Sequence, residues 1–328
     1  MATGTATIEH APTPRPVVVS RTLGDRIFRK LSVGAGWGAF ILMGLIGMFL
    51  VIRAIPALRA SGFGFLTHLV WRPDAPSPVF GIAAVMFGTI VIALIALAFA
   101  VPLSISTALF LTEYAPRTLR RPLRSLVDLL AAVPSLIYGM WGIFFLQPKV
   151  IPLSKWLSTY FHMLPIFRVR SDGFLASSPF IAGMVVALMI VPICTSVMRE
   201  VFAQTPPSEK EGALALGATR WGMVRTVVLP FGRGGIIGGS MLGLGRALGE
   251  TIAVAIIISP VFTITPRILE TGGNSVASLI ALRFGEAKRI GLSALMAAGL
   301  ALFAMTLAVN MVASFVVARS RSGKGVEI

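Results

Sequence analysis

Two opposite charges, Arg246 and Glu250, stand inside an otherwise apolar stretch of the chain, with Thr251 beside them. Residues four apart share one face of an α-helix, so we expect the guanidinium and the carboxylate to lie within reach of each other. Arg246 can offer a planar set of hydrogen-bond donors to an oxyanion. Glu250 can hold the arginine in place or accept a proton from a protonated solute. These three residues are candidates for an anion pathway, and a structural ion pair between two transmembrane subunits is the alternative.

The composition indicates that these charges lie in a membrane protein. Only 13% of the 328 residues are charged and the mean hydropathy is +0.86, whereas a soluble domain of this length would need more polar surface. Apolar runs long enough to cross a bilayer recur along the chain, without the short alternating segments of a β-barrel. The six predicted spans are Leu31–Ile52, Phe80–Leu111, Ser125–Leu146, Leu175–Met198, Gly234–Pro266 and Ile290–Ala318. The sequence therefore predicts an all-α polytopic membrane protein with six transmembrane helices.

Proline and glycine mark the places where these spans can bend or break. The second span is too long for a straight crossing, so we expect one long, tilted helix that bends near Pro102; a re-entrant element is the alternative. Pro134-Ser135 can break or kink the third span. Three glycines near the charged pair permit a close helix contact or local unwinding: Gly243, Gly245 and Gly249.

A second functional candidate lies between the fourth and fifth spans, at Glu211–Pro230. Its sequence, EGALALGATRWGMVRTVVLP, fits the pattern E-A-A-x3-G-x9-I-x-L-P with two mild substitutions. The segment resembles the cytoplasmic coupling loop of ABC importer membrane subunits, in which a short helix links the channel to an ATPase. The matching residues are Glu211, Ala213, Gly217, Leu229 and Pro230. Thr205 or Ser208 is expected to cap this helix, and an interfacial helix resting on lipid is the alternative.

Other chemistry finds little support in the sequence. No G-x-x-x-x-G-K-[ST] phosphate loop occurs, so we expect the ATPase on a separate chain and no enzymatic activity in this one. The three histidines are scattered and Cys194 is the one cysteine, so neither a metal site nor another cofactor is expected. The net charge of +16 is spread over every loop, which indicates anionic lipid headgroups rather than nucleic acid as partners.

The basic residues also predict the orientation. With the N-terminus inside, cytoplasmic segments hold 17 of the 29 Lys and Arg residues and the opposite segments hold 11. This is the bias of the positive-inside rule, and it places Glu211–Pro230 in the cytoplasm. We therefore expect a multi-pass protein of the inner (plasma) membrane with both termini cytoplasmic. Asp128, which follows three arginines, is expected to be a local charge partner rather than a solute ligand.

Together these segments resemble the PstC-type permease subunits of bacterial phosphate ABC importers. The resemblance rests on Thr112–Pro116, Leu129–Gly142, the coupling loop and Gly245–Thr251. It implies a type I importer (MetI-like) core of five helices plus one N-terminal helix. It also implies a heterodimer with a PstA-type permease, an ABC ATPase dimer and a phosphate-binding protein on the outer face. Phosphate would pass Arg246, Glu250 and Thr251; an importer for another oxyanion or small solute is the alternative.

The predicted domain organisation follows from the spans and loops. We expect a cytoplasmic tail over residues 1–30, then the first transmembrane helix and an outer loop over residues 31–78. The importer transmembrane domain covers residues 79–320 and contains the coupling loop at 200–232. Residues 321–328 form the predicted cytoplasmic C-terminal tail.

Overall fold

The structure, a computed structural model, describes the backbone of residues 23–320 and the side chains of residues 23–315. Most of the predicted N-terminal tail and the whole predicted C-terminal tail therefore lie outside the described residues. The chain divides into two compact units, one ending at Met48 and one beginning at Phe49. The helices are α1 (Leu23–Ser61), α2 (Gly64–Thr67), α3 (Ala83–Leu109), α4 (Arg117–Ala132), α5 (Ser135–Trp141), α6 (Gln147–Tyr160), α7 (Pro179–Ala203), α8 (Pro207–Ala215), α9 (Arg220–Met223), α10 (Leu229–Phe231), α11 (Arg233–Leu248), α12 (Ile252–Ile257), α13 (Val276–Arg283) and α14 (Arg289–Ser320).

Three π-helical turns and one small hairpin complete the secondary structure of the described residues. The π-helical turns are Phe110–Tyr114, Gly142–Leu146 and Val224–Val228. The hairpin pairs β1 (Trp71–Arg72) with β2 (Val79–Phe80) in antiparallel register. Apart from this hairpin, the prediction of an all-α fold is confirmed.

Five helical segments in the described part of the chain are long and apolar enough to cross a membrane. They are Leu23–Ser61, Ala83–Tyr114, Ser135–Tyr160, Pro179–Ala203 and Arg289–Phe315. A sixth span results if Arg220–Phe231 and Arg233–Leu248, which meet at a 66° bend, are counted as one. The predicted polytopic architecture is thus confirmed, and the count of six depends on this bent pair.

The core of the second unit forms where α3, α7 and α11 pack together. Small residues let the helices approach: a Cβ added to Gly183 of α7 would come within 2.5 Å of Ile95 on α3. The α3 helix is continuous through Pro102, so the prediction of one long second span is correct and the re-entrant alternative is not. This tightly packed layer is the frame that holds the charged segment after α11.

The third predicted span, Ser125–Leu146, is wrong in its position. Residues up to Ala132 belong to α4, a helix with many arginines, and the apolar span begins at Ser135. Val133 and Pro134 adopt extended backbone angles between the two helices. Proline provides no N–H for the helix and disfavours helical angles in the residue before it, which explains the break.

The fifth predicted span, Gly234–Pro266, is not one helix. The α11 helix ends at Leu248, α12 covers only Ile252–Ile257, and an irregular segment follows. The apolar run is therefore divided by a break at residues 249–251, directly beside the charged pair. The part of this run that forms α12 is apolar because α12 is buried against α5 and α7.

Polar contacts join the hairpin and the end of α1 to α14. The carboxylate of Asp74 accepts hydrogen bonds from the Lys288 and Gly291 backbone N–H groups at 3.0 and 2.8 Å, at the start of α14. The hydroxyl of Ser293 donates to the Arg53 carbonyl at 2.6 Å and accepts from the Ala57 N–H at 3.2 Å. These hydrogen bonds thus fix the hairpin and the end of α1 to α14.

Candidate translocation and coupling sites

The first site begins with a glycine-lined face of α11. Gly235, Gly239 and Gly243, spaced four apart, are buried against α7, where a Cβ on Gly243 would lie 2.5 Å from the Cys194 Sγ. The Cys194 thiol donates to the Gly239 carbonyl at 3.2 Å. Small residues at this spacing let two helix backbones pack closely within a bilayer. The predicted close helix contact is therefore present at Gly243, and it fixes α11 on α7.

The other predicted effect of glycine, local unwinding, occurs at Gly249, because α11 ends immediately before this residue. Glu250 and Thr251 lie in the break, and the Thr251 hydroxyl donates to the Gly249 carbonyl at 3.0 Å. Thr251 has φ −112° and ψ −68°, and α12 starts at the next residue. Local unwinding thus occurs where the sequence allowed it.

Arg246 and Glu250 do not share a helical face, so the predicted pairing is wrong for this structure. Arg246 is in the last turn of α11 and is exposed, whereas Glu250 lies beyond the helix end with only 8% of its surface exposed. The ion pairs in residues 23–315 involve other side chains: Arg199–Asp128, Lys210–Glu113, Arg267–Glu270 and Arg283–Glu286. The guanidinium and the carboxylate therefore remain available for other partners.

The α5 helix, which follows a second break, packs against α12, which follows the first break. Gly139 of α5 lies against Ala253 of α12, with 3.0 Å between a Cβ at Gly139 and the Ala253 Cα. Tyr138, on the same turn, donates its hydroxyl to the Leu130 carbonyl at 2.9 Å and so bridges the break between α4 and α5. The segment that follows the charged pair is therefore packed on the helix that follows the second break.

The coupling segment folds as a short helix and a turn. The α8 helix covers Pro207–Ala215, and its N-terminal flank is Pro206 without a side-chain cap, so the predicted capping by Thr205 or Ser208 is wrong. Gly217 has φ +86°, the left-handed region that disfavours residues with a Cβ. The Thr219 hydroxyl then accepts from the Gly222 N–H at 3.1 Å and caps α9.

The residues matched by the coupling pattern fall into an exposed and a packed set. Glu211, Gly217 and Pro230 are exposed, whereas Ala213 and Leu229 are partly buried against the core. Two apolar side chains of the same segment, outside the pattern, are also exposed: Leu216 is 92% exposed and Trp221 58% exposed. We refer to Leu216 and Trp221 as the coupling surface.

An ion pair that sequence inspection missed fixes α8 to the rest of the fold. The Lys210 Nζ lies 2.7 Å from the Glu113 carboxylate, and these side chains are 20% and 11% exposed. Glu113 belongs to the π-helical turn at the end of α3, so the end of this span and α8 lie at the same membrane face. In the sequence, the signal for this pair was Glu113, a charged residue that directly follows a long uncharged run.

The coupling segment is linked to the charged break through α11. After the π-helical turn Val224–Val228, α10 leads to Gly232, where the chain bends by 66° into α11. A Cβ at Gly232 would collide with the buried Phe202 ring, so the packing of Phe202 against this bend requires glycine. Asp128 is a charge partner as predicted, but its partner is Arg199 of α7 at 3.8 Å rather than an arginine that precedes it on α4.

The fold and the family match define the class of protein. Residues 100–322 match the family described as "Binding-protein-dependent transport system inner membrane component". The fold is similar to a chain of a bacterial ABC transporter involved in the import of alginate (TM-score 0.53, 18% identity, 90% of this chain and 99% of that chain). A chain of the MetNI methionine ABC transporter is also similar (TM-score 0.52, 13% identity, 73% and 95%). The chain is a membrane component of an ABC importer.

Closer relatives narrow this class. The "Phosphate transport system permease protein PstC 2" of Mycobacterium tuberculosis is 42% identical over 310 residues, which cover 92% of this chain and 96% of the relative. The "Phosphate transport system permease protein PstC" of Xylella fastidiosa (strain 9a5c) is 41% identical over 305 residues, with 92% and 93% covered. The chain belongs to the PstC family of phosphate transport system permeases. It is a multi-pass inner-membrane subunit of a transport complex.

Proposed function

We propose that the chain forms half of a phosphate pathway and that Arg246 contacts the anion there. The observation that carries the proposal is the exposed guanidinium of Arg246, which has no ion pair within residues 23–315 and lies in the last turn of α11, directly before the helix break. A cation at membrane depth is costly unless it faces a cavity or a partner, and an oxyanion satisfies its donors with planar geometry. The names of the 42% and 41% identical relatives supply the choice of phosphate.

Glu250 and Thr251 have complementary roles in this proposal. An ionised carboxylate is only an acceptor, so Glu250 favours a protonated phosphate over a fully deprotonated oxyanion. Its low exposure, 8%, keeps competing water away from that contact. The Thr251 hydroxyl can exchange its bond to the Gly249 carbonyl for a phosphate oxygen. Because Arg246 and Glu250 form no ion pair with each other within residues 23–315, each charge is open to phosphate or to a charge on the other permease subunit.

The partner arrangement is also a proposal. A PstA-type permease supplies the other half of the pathway, and an ABC ATPase dimer binds the coupling surface and Glu211 from the cytoplasm. The left-handed turn at Gly217 and the ion pair between Lys210 and Glu113 present this surface on a fixed base. With this side cytoplasmic, both termini are cytoplasmic and a phosphate-binding protein delivers the solute at the opposite face. The domain boundaries at 1–30, 31–78, 79–320 and 321–328 follow the same topology.

Uptake into proteoliposomes that contain the chain, its permease partner and the ATPase tests the pathway. We expect phosphate uptake that sulfate and molybdate compete with poorly. Because a charge-assisted contact contributes about 1.5–3 kcal/mol, R246Q should raise the apparent KM roughly 10- to 100-fold. R246K should have an intermediate effect since it keeps the charge without the planar fork.

Arg168→Gln removes an exposed arginine outside the candidate pathway and serves as the matched control. If R246Q prevents assembly of the complex, the structural alternative is correct. Uptake that does not depend on phosphate would instead support a permease for another oxyanion or small solute.

A further inference from the structure

Apart from its C-terminal end near Leu130, the α4 helix has no part in either site, and its position between two spans constrains where it can lie. The preceding span ends at Tyr114 and the following span starts at Ser135. Sixteen residues of α-helix extend about 24 Å, but four arginines make α4 too polar to cross the bilayer. Glu113 at its N-terminal side is paired with Lys210, so α4 lies at the membrane face that carries α8.

One flank of α4 packs against protein. Leu123, Arg124 and Val127 are partly buried, and α4 contacts α7 along this side. Asp128 adds the ion pair to Arg199 at 3.8 Å. These contacts fix the rotation of the helix about its axis, so its remaining two sectors must face defined surroundings.

The second sector is apolar and exposed. Leu119, Leu126 and Leu129 are 50%, 54% and 67% exposed, and Pro122 lies among them on the wheel at 100° per residue. Side chains of this size do not form a continuous exposed surface in water without a function or a covering partner. An acyl-chain region beside the adjoining spans would cover this sector.

The third sector is basic, and on the wheel its two arginines lie about 140° from the centre of the apolar sector. Arg117 and Arg121 are exposed, together with Thr118 and Ser125. No ion pair between residues 23 and 315 uses either arginine. Two unpaired guanidinium groups on one turn of a helix present an anion-binding edge at the height of the lipid headgroups.

We propose that α4 lies in the membrane interface and binds anionic phospholipid headgroups through Arg117 and Arg121. Three features together select a lipid surface as the occupant: the apolar and basic sectors face different sides of the helix, the helix is flanked by two spans, and the basic edge is unpaired. A bilayer interface supplies acyl chains on one side of a helix and phosphates on the other. This inference does not depend on which solute the importer carries.

Site-specific fluorescence quenching in the full-length chain tests the proposal. In a Cys194→Ala background, a fluorophore is attached at Leu126→Cys or at Ser125→Cys, and the chain is placed in nanodiscs of phosphatidylcholine with or without phosphatidylglycerol. We expect acyl-brominated lipid to quench the label at position 126 and aqueous iodide to quench the label at 125. Phosphatidylglycerol should strengthen the lipid quenching at 126, and high salt should reverse that gain.

Charge variants then identify the residues involved. R117Q/R121Q should weaken the apparent affinity for phosphatidylglycerol roughly 30-fold, because each basic residue near an anionic surface contributes about fivefold. R117K/R121K should keep most of the response, because it keeps both positive charges. This result would show that charge is the cause and that replacing these two side chains does not unfold the protein. R168Q/R170Q removes two exposed arginines from another loop and should leave the response at 126 unchanged.

Three results would overturn the proposal. One is a label at 126 that iodide quenches and brominated lipid does not. Another is an unchanged phosphatidylglycerol response in R117Q/R121Q. The third is protection of position 126 from both quenchers in membranes that contain the complete transporter, which would assign the apolar sector to a protein partner.

Discussion

Replacement of Gly217 should weaken ATPase binding through the backbone alone. The residue has φ +86°, and a Cβ there would meet no atom of the surrounding residues within 4 Å. Collision with neighbouring side chains therefore contributes nothing to the effect of a substitution. A residue with a Cβ pays about 1–2 kcal/mol in the left-handed region, which changes the population of the native turn by a factor of roughly 5–30. Asparagine tolerates this region better than alanine, and a β-branched side chain tolerates it worst.

The expected order of ATPase affinity is therefore wild type, G217N, G217A and then G217V, with the last weakened up to about 30-fold. The affinity is measured with purified ATPase and the full chain in nanodiscs, and membrane insertion is checked separately. G212A is the matched control, because Gly212 is helical, has no atom within 4 Å of an added Cβ and stands where the coupling pattern has alanine. Wild-type affinity in G217V, or equal loss in G212A, would refute the backbone argument.

Two further predictions concern packing around the sites. K210M leaves the Glu113 carboxylate, 11% exposed, without its cation; the thermal unfolding midpoint and ATPase capture should both fall, by an effect of about 1–3 kcal/mol, and E113Q/K210M should recover part of it. A K210M variant as stable as wild type would mean that the pair contributes nothing. G243A should destabilise the α7–α11 contact by about 1–3 kcal/mol, since its Cβ would lie 2.5 Å from the Cys194 Sγ. Adding C194A removes that sulfur and should restore the midpoint; no rescue would place the strain elsewhere.

Apolar run length predicted that spans exist but not where their helices end. The run around α3 gave a continuous helix because Pro102 is its one strong interruption and the helix tolerates it. The run from Ser125 failed because the arginines before it and the leucines after it belong to the same amphipathic period, which continues to Ala132. Pro134 was the available signal for the boundary, and a break rather than a kink resulted.

The candidate site was predictable in its residues but not in its geometry. Spacing of four placed Arg246 and Glu250 on one face only if the helix continued, and Gly249 ends it. A sequence cannot decide between close packing and unwinding at a glycine, because tertiary contacts determine which one occurs. The contact between Lys210 and Glu113 joins residues 97 positions apart, a distance at which local patterns carry no information.

The charged break can respond to motion at α8 because the connecting path contains one bend followed by one tightly packed helix. The α8 helix packs on the π-helical turn Val224–Val228, and π-helical turns are often functional sites in helices. The chain changes direction at Gly232, and close glycine contacts then join α11 to α7. Arg246 belongs to α11, whereas Glu250 lies beyond the helix end, before α12. A swing of α11 at the bend would therefore change the separation of these two charges, and closure of the break at residues 249–251 into helix would place them on one face, within reach of an ion pair.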